Sequence, residues 1–222
     1  MALLLALAAC GDGNRTDDRS AGEPPLPMEE EEAISNQWKF EVKSGALDMR
    51  ITSSGTDSGV PAATTLTALF DDHGARMATH WAVGPGDTMH MILNDGMVTN
   101  YNPAEGTGMR LRAAPQIRNG LPHLPDEIAM EEIRKRPTYK DLGTRTILGK
   151  EAHGYSLDSA GVTTTVWEWK RIPLLMETSG AAATRHEVTR LETDLVLPAE
   201  RFNPPNGLTI RDVPQDTAAR KR

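Results

Sequence analysis

The sequence predicts a mainly β fold of the α+β class, in which many short strands are joined by tight turns. Apolar and polar side chains alternate from Trp38 to Lys43, and this period of two is typical of a half-buried strand. The 222 residues include 19 glycines and 15 prolines, while only 5% of the residues are aromatic. Such a composition favours short strands and turns over a bundle of helices.

The first half of the body predicts an antiparallel meander. Segment 38–43 is followed by Ser44-Gly45 and by a second alternating segment with Leu47, Met49 and Ile51 on one face, so the two segments predict a hairpin. Turn sequences such as Asn94-Asp95-Gly96 separate the further predicted strands, which are 64–70, 76–83, 88–93, 97–101 and 108–113. Consecutive short strands with such turns are typical of a meander.

One short amphipathic helix is predicted between residues 115 and 141. Pro125-Asp126-Glu127 precedes an apolar stretch, and the basic residues 134–136 and then Pro137 follow it. Acidic residues at the start and basic residues at the end agree with the helix dipole, and the proline ends the helix. Strands are predicted again at 143–148, 153–157, 161–170, 174–178 and 184–195. The predicted sheet is therefore interrupted by a helix-bearing insert.

Cys10, the only cysteine of the chain, ends an apolar tract. Its last residues, Leu7-Ala8-Ala9-Cys10, resemble the lipobox of bacterial lipoproteins, where small residues fit the signal peptidase and the thiol accepts a diacylglycerol. We therefore predict a lipoprotein signal peptide over 1–9, and because no positive n-region precedes it, we expect the true start to lie upstream of Met1. The alternative is a buried N-terminal strand with an inert thiol, for which the polar sequence after Cys10 offers no partner strand.

The rest of the chain divides into a tether, one domain and a tail. Residues 10–36 predict a lipidated cysteine and a flexible tether, because they are polar, contain three prolines and end in an acidic run. We predict a single domain over 37–210 and a polar tail over 211–222. The net charge of −7 argues against a nucleic-acid partner.

These features predict a lipid-anchored protein of the bacterial cell envelope. Gly11 follows the cysteine, so we expect the outer membrane, with the domain facing the periplasm. Asp12 at the next position leaves retention at the inner membrane open.

Several segments of the second half resemble a known family. They are Leu142-Gly143-Thr144, Ile172-Pro173-Leu174, 147–155, 166–170 and 197–207. On these segments, residues 37–210 resemble the LolA/LolB-like group of periplasmic lipoproteins, and more closely an uncharacterised lipoprotein branch of it. The resemblance implies a strongly curved, incompletely closed antiparallel barrel whose concave apolar face is covered by helices and can hold acyl chains. For that branch the resemblance implies a fold and no established activity.

If the concave face binds a lipid or a lipoprotein acyl chain, its methionines are informative, because a flexible thioether adapts to chains of varied shape. The candidate residues are Trp38, Phe40, Met49, Ile51, Leu66, Phe70, Met89, Met91, Met97, Met109, Leu111, Trp167 and Trp169. Ordinary core filling explains each of them as well. A cavity of several hundred cubic ångströms between the sheet and 115–136 would favour a carrier. Close packing would favour an envelope protein-interaction module with a filled core.

The sequence gives little support for catalysis. Asp71-Asp72-His73-Gly74 indicates a turn, and the loop residues Ser53, Ser54 and Ser58 lack a Gly-x-Ser-x-Gly elbow. The six histidines show no His-x-x-x-His spacing, and no glycine loop suited to phosphate is present. We predict no catalytic residue, no metal and no cofactor, with a hydrolase that uses the loop serines as the remaining alternative. The predicted partners are the membrane through Cys10, an acyl chain and an envelope protein.

Overall fold

Twelve strands and one helix make up the described part of the chain, which a computed structural model gives for residues 40–54, 62–84, 87–113, 121, 124–125, 127–180 and 183–213. The strands are β1 (Gly45–Ser54), β2 (Ala62–Asp71), β3 (Arg76–Gly84), β4 (Asp87–Asn94), β5 (Met97–Asn102), β6 (Thr107–Arg112), β7 (Tyr139–Ile147), β8 (Lys150–Ser159), β9 (Val162–Trp169), β10 (Ile172–Ser179), β11 (Ala183–Thr193) and β12 (Thr209–Asp212). Helix α1 covers Glu127–Arg134, and short 3₁₀ helices cover Asp72–Gly74 and Ala199–Phe202. Cys10, Trp38 and Ser58 lie outside the described residues.

The strands form one open, curved sheet with β12 and β7 at its two edges. Strands β1 to β6 make one antiparallel meander and β7 to β11 make a second, and the pairing of β1 with β11 joins the two. The predicted mainly β fold, with an open sheet and a small helix, is confirmed. Strand β12 departs from the expected antiparallel pattern, because it pairs in parallel with β6.

The prediction of a first strand over 38–43 is wrong for the residues that the structure describes. Residues 41–44 form a bend, and β1 pairs with β2 and β11 in place of the expected hairpin partner. The backbone of this segment bonds to turns, since the Phe40 N–H donates to the His73 carbonyl and the Glu41 N–H donates to the Lys170 carbonyl. The alternation still reports burial correctly, because Phe40 and Val42 are buried while Glu41 is exposed.

Two-residue turns with positive φ angles connect several of the strands. Asp95 and Gly96 (φ 49° and 69°) join β4 to β5, as the sequence predicts for a type I′ hairpin. Lys170 and Arg171 (φ 50° and 62°) join β9 to β10 in the same way without a glycine, so this turn is strained.

One face of the sheet, here called the inner face, carries the core. In the first meander, Leu47 pairs with Ala68, Ala68 with Thr79, and Thr79 with Met91, and all four are buried. In the second meander the same face continues, because Ile51 pairs with His186 and residues of β8 to β10 follow in register. The buried Leu121, Leu124 and Met130 belong to the same hydrophobic cluster. Helix α1 and the residues before it therefore cover part of the inner face.

The opposite face, here called the outer face, is crossed by the segment 195–208. Phe202 in this segment is completely buried, and the Arg76 guanidinium lies 5.4 Å from its ring centroid. Elsewhere the outer face carries ion pairs, such as Arg190 with Asp48 at 3.4 Å and Arg110 with Asp212 at 2.7 Å. The outer face therefore combines ion pairs with the buried Phe202.

Candidate functional site

The inner face of the first meander contains most of the residues that the sequence proposes for a ligand. Phe40, Met49, Leu66, Phe70 and Met91 all lie in the core, and none is more than 6% exposed. Phe40 and Phe70 meet edge to face, with their ring centroids 5.0 Å apart. Because these five side chains are closely packed, they form part of the core at the centre of the sheet.

Exposure of this apolar face increases toward one end. Met49 pairs with Leu66, Leu66 with Trp81, and Trp81 with Met89, whose exposure reaches 42%. On β6, Met109 is 54% exposed, and its partner on β5 is Asn100, which pairs with Met91. We call the less buried set of Ile51, Trp81, Met89 and Met109 the open end.

Ile51 and Trp81 at the open end also contact the buried cluster, as does Leu111 further along β6. The core therefore reaches Trp81, whose partner on β4 is the exposed Met89, and it reaches Leu111, two residues after the exposed Met109 on β6. Exposed apolar side chains that border a packed core offer a contact surface to an apolar partner.

Met97 does not join this surface, and its assignment to the concave face is wrong. It pairs with Asn94, whereas its neighbour Val98 pairs with the core residue Leu93 on the inner face. Because consecutive side chains of a strand point to opposite faces, Met97 lies on the outer face. The composition of β5 alone does not distinguish the two faces.

The same correction applies to Trp167 and Trp169. Trp167 pairs with Gly154, and a Cβ on Gly154 would lie 2.5 Å from the indole ring. The neighbouring residues Tyr155 and Val166 pair with each other on the inner face, so the two tryptophans lie on the outer face.

Basic side chains cover both indoles. The Arg145 guanidinium lies 4.2 Å from the ring centroid of Trp167, and the Lys150 ammonium lies 4.6 Å from that of Trp169. Such cation–π contacts suit aromatic rings at a half-exposed surface. Both rings are therefore occupied by contacts within the sheet.

The sequence missed a group of titratable side chains on the second half of the inner face. His186 pairs with Ile51, and Glu168 lies two residues after Val166 on β9. Burial lowers the pKa of His186, and its Nδ1 atom has no hydrogen-bond partner within the described part of the chain. Burial also raises the pKa of Glu168, and it raises the pKa of Tyr155. Each shift favours the uncharged form of its group.

Helix α1 is fixed above this half by Arg171. Its guanidinium donates to Glu127 Oε1 at 2.5 Å and to the Pro125 carbonyl at 3.0 Å. Arg171 lies in the strained turn between β9 and β10, and its side chain reaches the first residue of α1. This contact therefore connects the sheet to the start of the helix. The sequence carries no pattern that indicates this contact.

The residues considered for catalysis have structural partners. Asp71 Oδ1 accepts the Asp72 N–H at 2.7 Å, Asp71 also pairs with Arg76 at 2.5 Å, and His73 Nδ1 lies 2.9 Å from the Phe40 carbonyl oxygen. Ser53 and Ser54 line a cavity of about 480 Å³ whose described lining offers hydroxyls, Glu177 and Arg185. These contacts give the residues of the turn a structural role. The described residues that line the cavity include no histidine to serve as a base.

Among the described residues, no group of three or more His, Cys, Asp or Glu side chains lies close enough to hold a metal ion. Within the same part of the chain, no helix has both the length and the apolar character needed to cross a membrane.

No protein-family model and no curated protein matches the sequence. Solved structures with a similar fold include an uncharacterised conserved protein from Thermus thermophilus, with a TM-score of 0.50 and 9% identity over 83% of this chain and 99% of that one. A LolA superfamily protein from Nitrosomonas europaea is similar with a TM-score of 0.40 and 11% identity over 78% and 97% of the two chains. An outer membrane lipoprotein-sorting protein domain from Vibrio parahaemolyticus is similar with a TM-score of 0.35 and 14% identity over 79% and 94%. At these identities the similarity concerns the fold.

Proposed function

We propose that this protein is a noncatalytic, lipid-anchored envelope protein whose inner face binds an apolar chain, such as a lipid or a lipoprotein acyl chain. The observation that carries the proposal is the open end, where Met89 and Met109 are 42% and 54% exposed on the face that forms the core. An apolar chain laid on this surface removes those thioethers from water.

The chemistry of the open end suits a ligand of variable shape. Methionine side chains have three rotatable bonds and a polarizable sulfur, so they follow the outline of an alkyl chain without a fixed pocket. The neighbouring Trp81 and Ile51 supply a stiffer apolar border. The ligand binds first along the open end and moves the methionines aside as it extends toward the core.

Cys10 supplies the anchor in this proposal. A diacylglycerol thioether with a further acyl chain holds a protein on a bilayer stably, because each buried methylene contributes about 0.8 kcal/mol. The test is fractionation of cells that express the full chain or the variant Cys10→Ser. Release of the variant into the soluble fraction supports the anchor, and continued membrane association contradicts it.

A second candidate function is an envelope protein-interaction module. The observation that favours it is the filled centre of the inner face, where Leu66 and Phe70 are 1% and 0% exposed. In this case the open end is a contact surface for a protein, and no ligand enters the domain.

Mass spectrometry distinguishes the two functions. The full chain with Cys10→Ser, which lacks the covalent lipid, is purified under native conditions and its bound lipids are extracted. Stoichiometric lipid supports the carrier function. Absence of lipid, together with failure to take up a fluorescent fatty acid, contradicts the carrier function and favours the interaction module.

A further inference from the structure

A cavity of about 690 Å³ lies on the outer face, away from the open end. Its floor is formed by strands β2 to β5 and its roof by residues 200–206. The roof segment is fixed at one end by the buried Phe202 and at the other by the Thr209 N–H, which donates to the Gly106 carbonyl at 2.9 Å. Because both ends are held, the roof spans the sheet and the protein itself does not fill the space beneath it.

The floor carries a row of three polar aromatic rings. His80, His90 and Tyr101 pair in register on β3, β4 and β5, with successive ring centroids 5.4 Å and 5.0 Å apart. The interplanar angles are 23° and 24°, so the rings stack face to face. Their faces are therefore used within the row, and their edges, with the ring nitrogens and the phenol oxygen, remain for a ligand.

All three rings line the cavity; His80 is exposed, His90 is half-buried and Tyr101 is buried. Imidazole nitrogens and the phenol oxygen both take part in hydrogen bonds. A row of three such polar rings along an unfilled cavity indicates a ligand that supplies hydrogen bonds along a length of about two strand spacings, roughly 10 Å.

The charge of the cavity selects the class of ligand. Glu200 and Arg201 carry opposite charges on the roof, and burial, assisted by the neighbouring His80, lowers the pKa of His90 and favours its neutral form. An anion would find no net positive charge, and an alkyl chain would leave the ring edges unpaired. Hydroxyl groups both donate and accept, which matches neutral imidazole, phenol and the amide of Asn206.

We propose that this cavity binds a neutral saccharide of about two sugar rings, held by the edges of His80, His90 and Tyr101 and covered by Pro204, Pro205 and Asn206. The volume lies in the range of cavities that hold small organic ligands. This site lies on the other face from the open end, so it does not depend on the proposed lipid function.

The test uses the full chain with Cys10→Ser and two neutral disaccharides, maltose and N,N′-diacetylchitobiose. Binding is followed by calorimetry and by the NMR signals of the histidine ring protons. We expect at least one disaccharide to bind saturably and to shift the signals of His80 and His90. Tyr101→Phe keeps the ring and removes one hydroxyl, so it should weaken binding about tenfold, as the loss of one hydrogen bond predicts.

Tyr139→Phe is the matched control, because it removes the same atom from β7 at a residue that does not line the cavity. It should leave saccharide binding unchanged. Three results would overturn the proposal: neither disaccharide binds at about 10 mM, a concentration that detects even millimolar affinity; Tyr101→Phe binds as tightly as the parent; or phosphate binds and displaces the saccharide.

Discussion

On the β1–β6 half of the inner face the side chains are mainly phenylalanine, leucine and methionine, whereas the β7–β11 half also carries Tyr155, Glu168 and His186. The first half ends in exposed methionines, while the second half is tied to α1 through Arg171. One continuous sheet thus combines an adaptable apolar surface with a covered, more polar one. Under the proposed function, an apolar ligand approaches from the first half.

The largest expected effect in this comparison comes from Phe70. Its side chain is completely buried and contacts Phe40 edge to face, so Phe70→Ala should lower the free energy of unfolding by about 3–5 kcal/mol. The measurement is urea unfolding followed by tryptophan fluorescence.

The matched control for this prediction is Met109→Ala, which truncates a 54% exposed side chain on the same face. It should cost less than about 1 kcal/mol. Similar losses for the two variants would mean that the open end is as well packed as the core.

An intermediate effect is expected at the tie between sheet and helix. Arg171→Met keeps most of the side-chain length and removes the donors to Glu127 and to the Pro125 carbonyl. We expect a loss of about 1.5–3 kcal/mol, the range for hydrogen bonds to charged groups, and faster amide exchange in α1. Hydrogen exchange with mass spectrometry measures the exchange rate in α1, and exchange in β2 and β3 serves as the internal control. Unchanged exchange in α1 would show that other contacts hold the helix.

The smallest expected effect is a change in pH dependence. Burial raises the pKa of Glu168, so the folded state binds this proton more tightly than the unfolded state does. Glu168 therefore costs stability as the pH rises from the ordinary carboxyl pKa through the raised one, and the cost persists above it. Glu168→Gln should be more stable than the parent at neutral pH, and the gain should vanish below the ordinary carboxyl pKa. Thermal unfolding across pH measures this.

The pH dependence of stability that His186 causes has the opposite sign and falls in a different pH range. Burial lowers the pKa of His186, so the folded state binds this proton less tightly and stability falls as the pH drops through the ordinary imidazole value of 6.5. Glu168→Gln should leave this loss unchanged, whereas His186→Gln should remove it. A gain from Glu168→Gln that is independent of pH would contradict the assignment.

Local pattern predicted most of the strands of this fold, because alternation and turn residues are local properties. Asn94-Asp95-Gly96 forms the expected turn between β4 and β5. Segment 38–43 shows the limit of such patterns: alternation indicates which side chains are buried, but it does not supply the hydrogen-bonding partner that makes a strand.

The faces of the sheet were predictable only in part. Met89 and Met97 lie on adjacent strands with similar composition, yet pairing places Met89 opposite Trp81 and Met97 opposite Asn94, on different faces. Trp167 and Gly154 pair across the β8–β9 hairpin, where the register is set by the two-residue turn between the strands. The tie of Arg171 to α1 and the position of His186 beside Ile51 arise only in the folded chain.

The most direct test of the central claim is titration of a fluorescent fatty acid into the full chain with Cys10→Ser, alone and with a further substitution. Met89→Glu and Met109→Glu each place a charge at the open end, while Met97→Glu places the same charge on the outer face of the adjoining strand. We predict that the first two weaken binding at least about tenfold, a loss of roughly 1.4 kcal/mol, and that Met97→Glu binds like the parent. Equal binding by all the variants, or no binding by the parent, would contradict the assignment of the inner face as the ligand site.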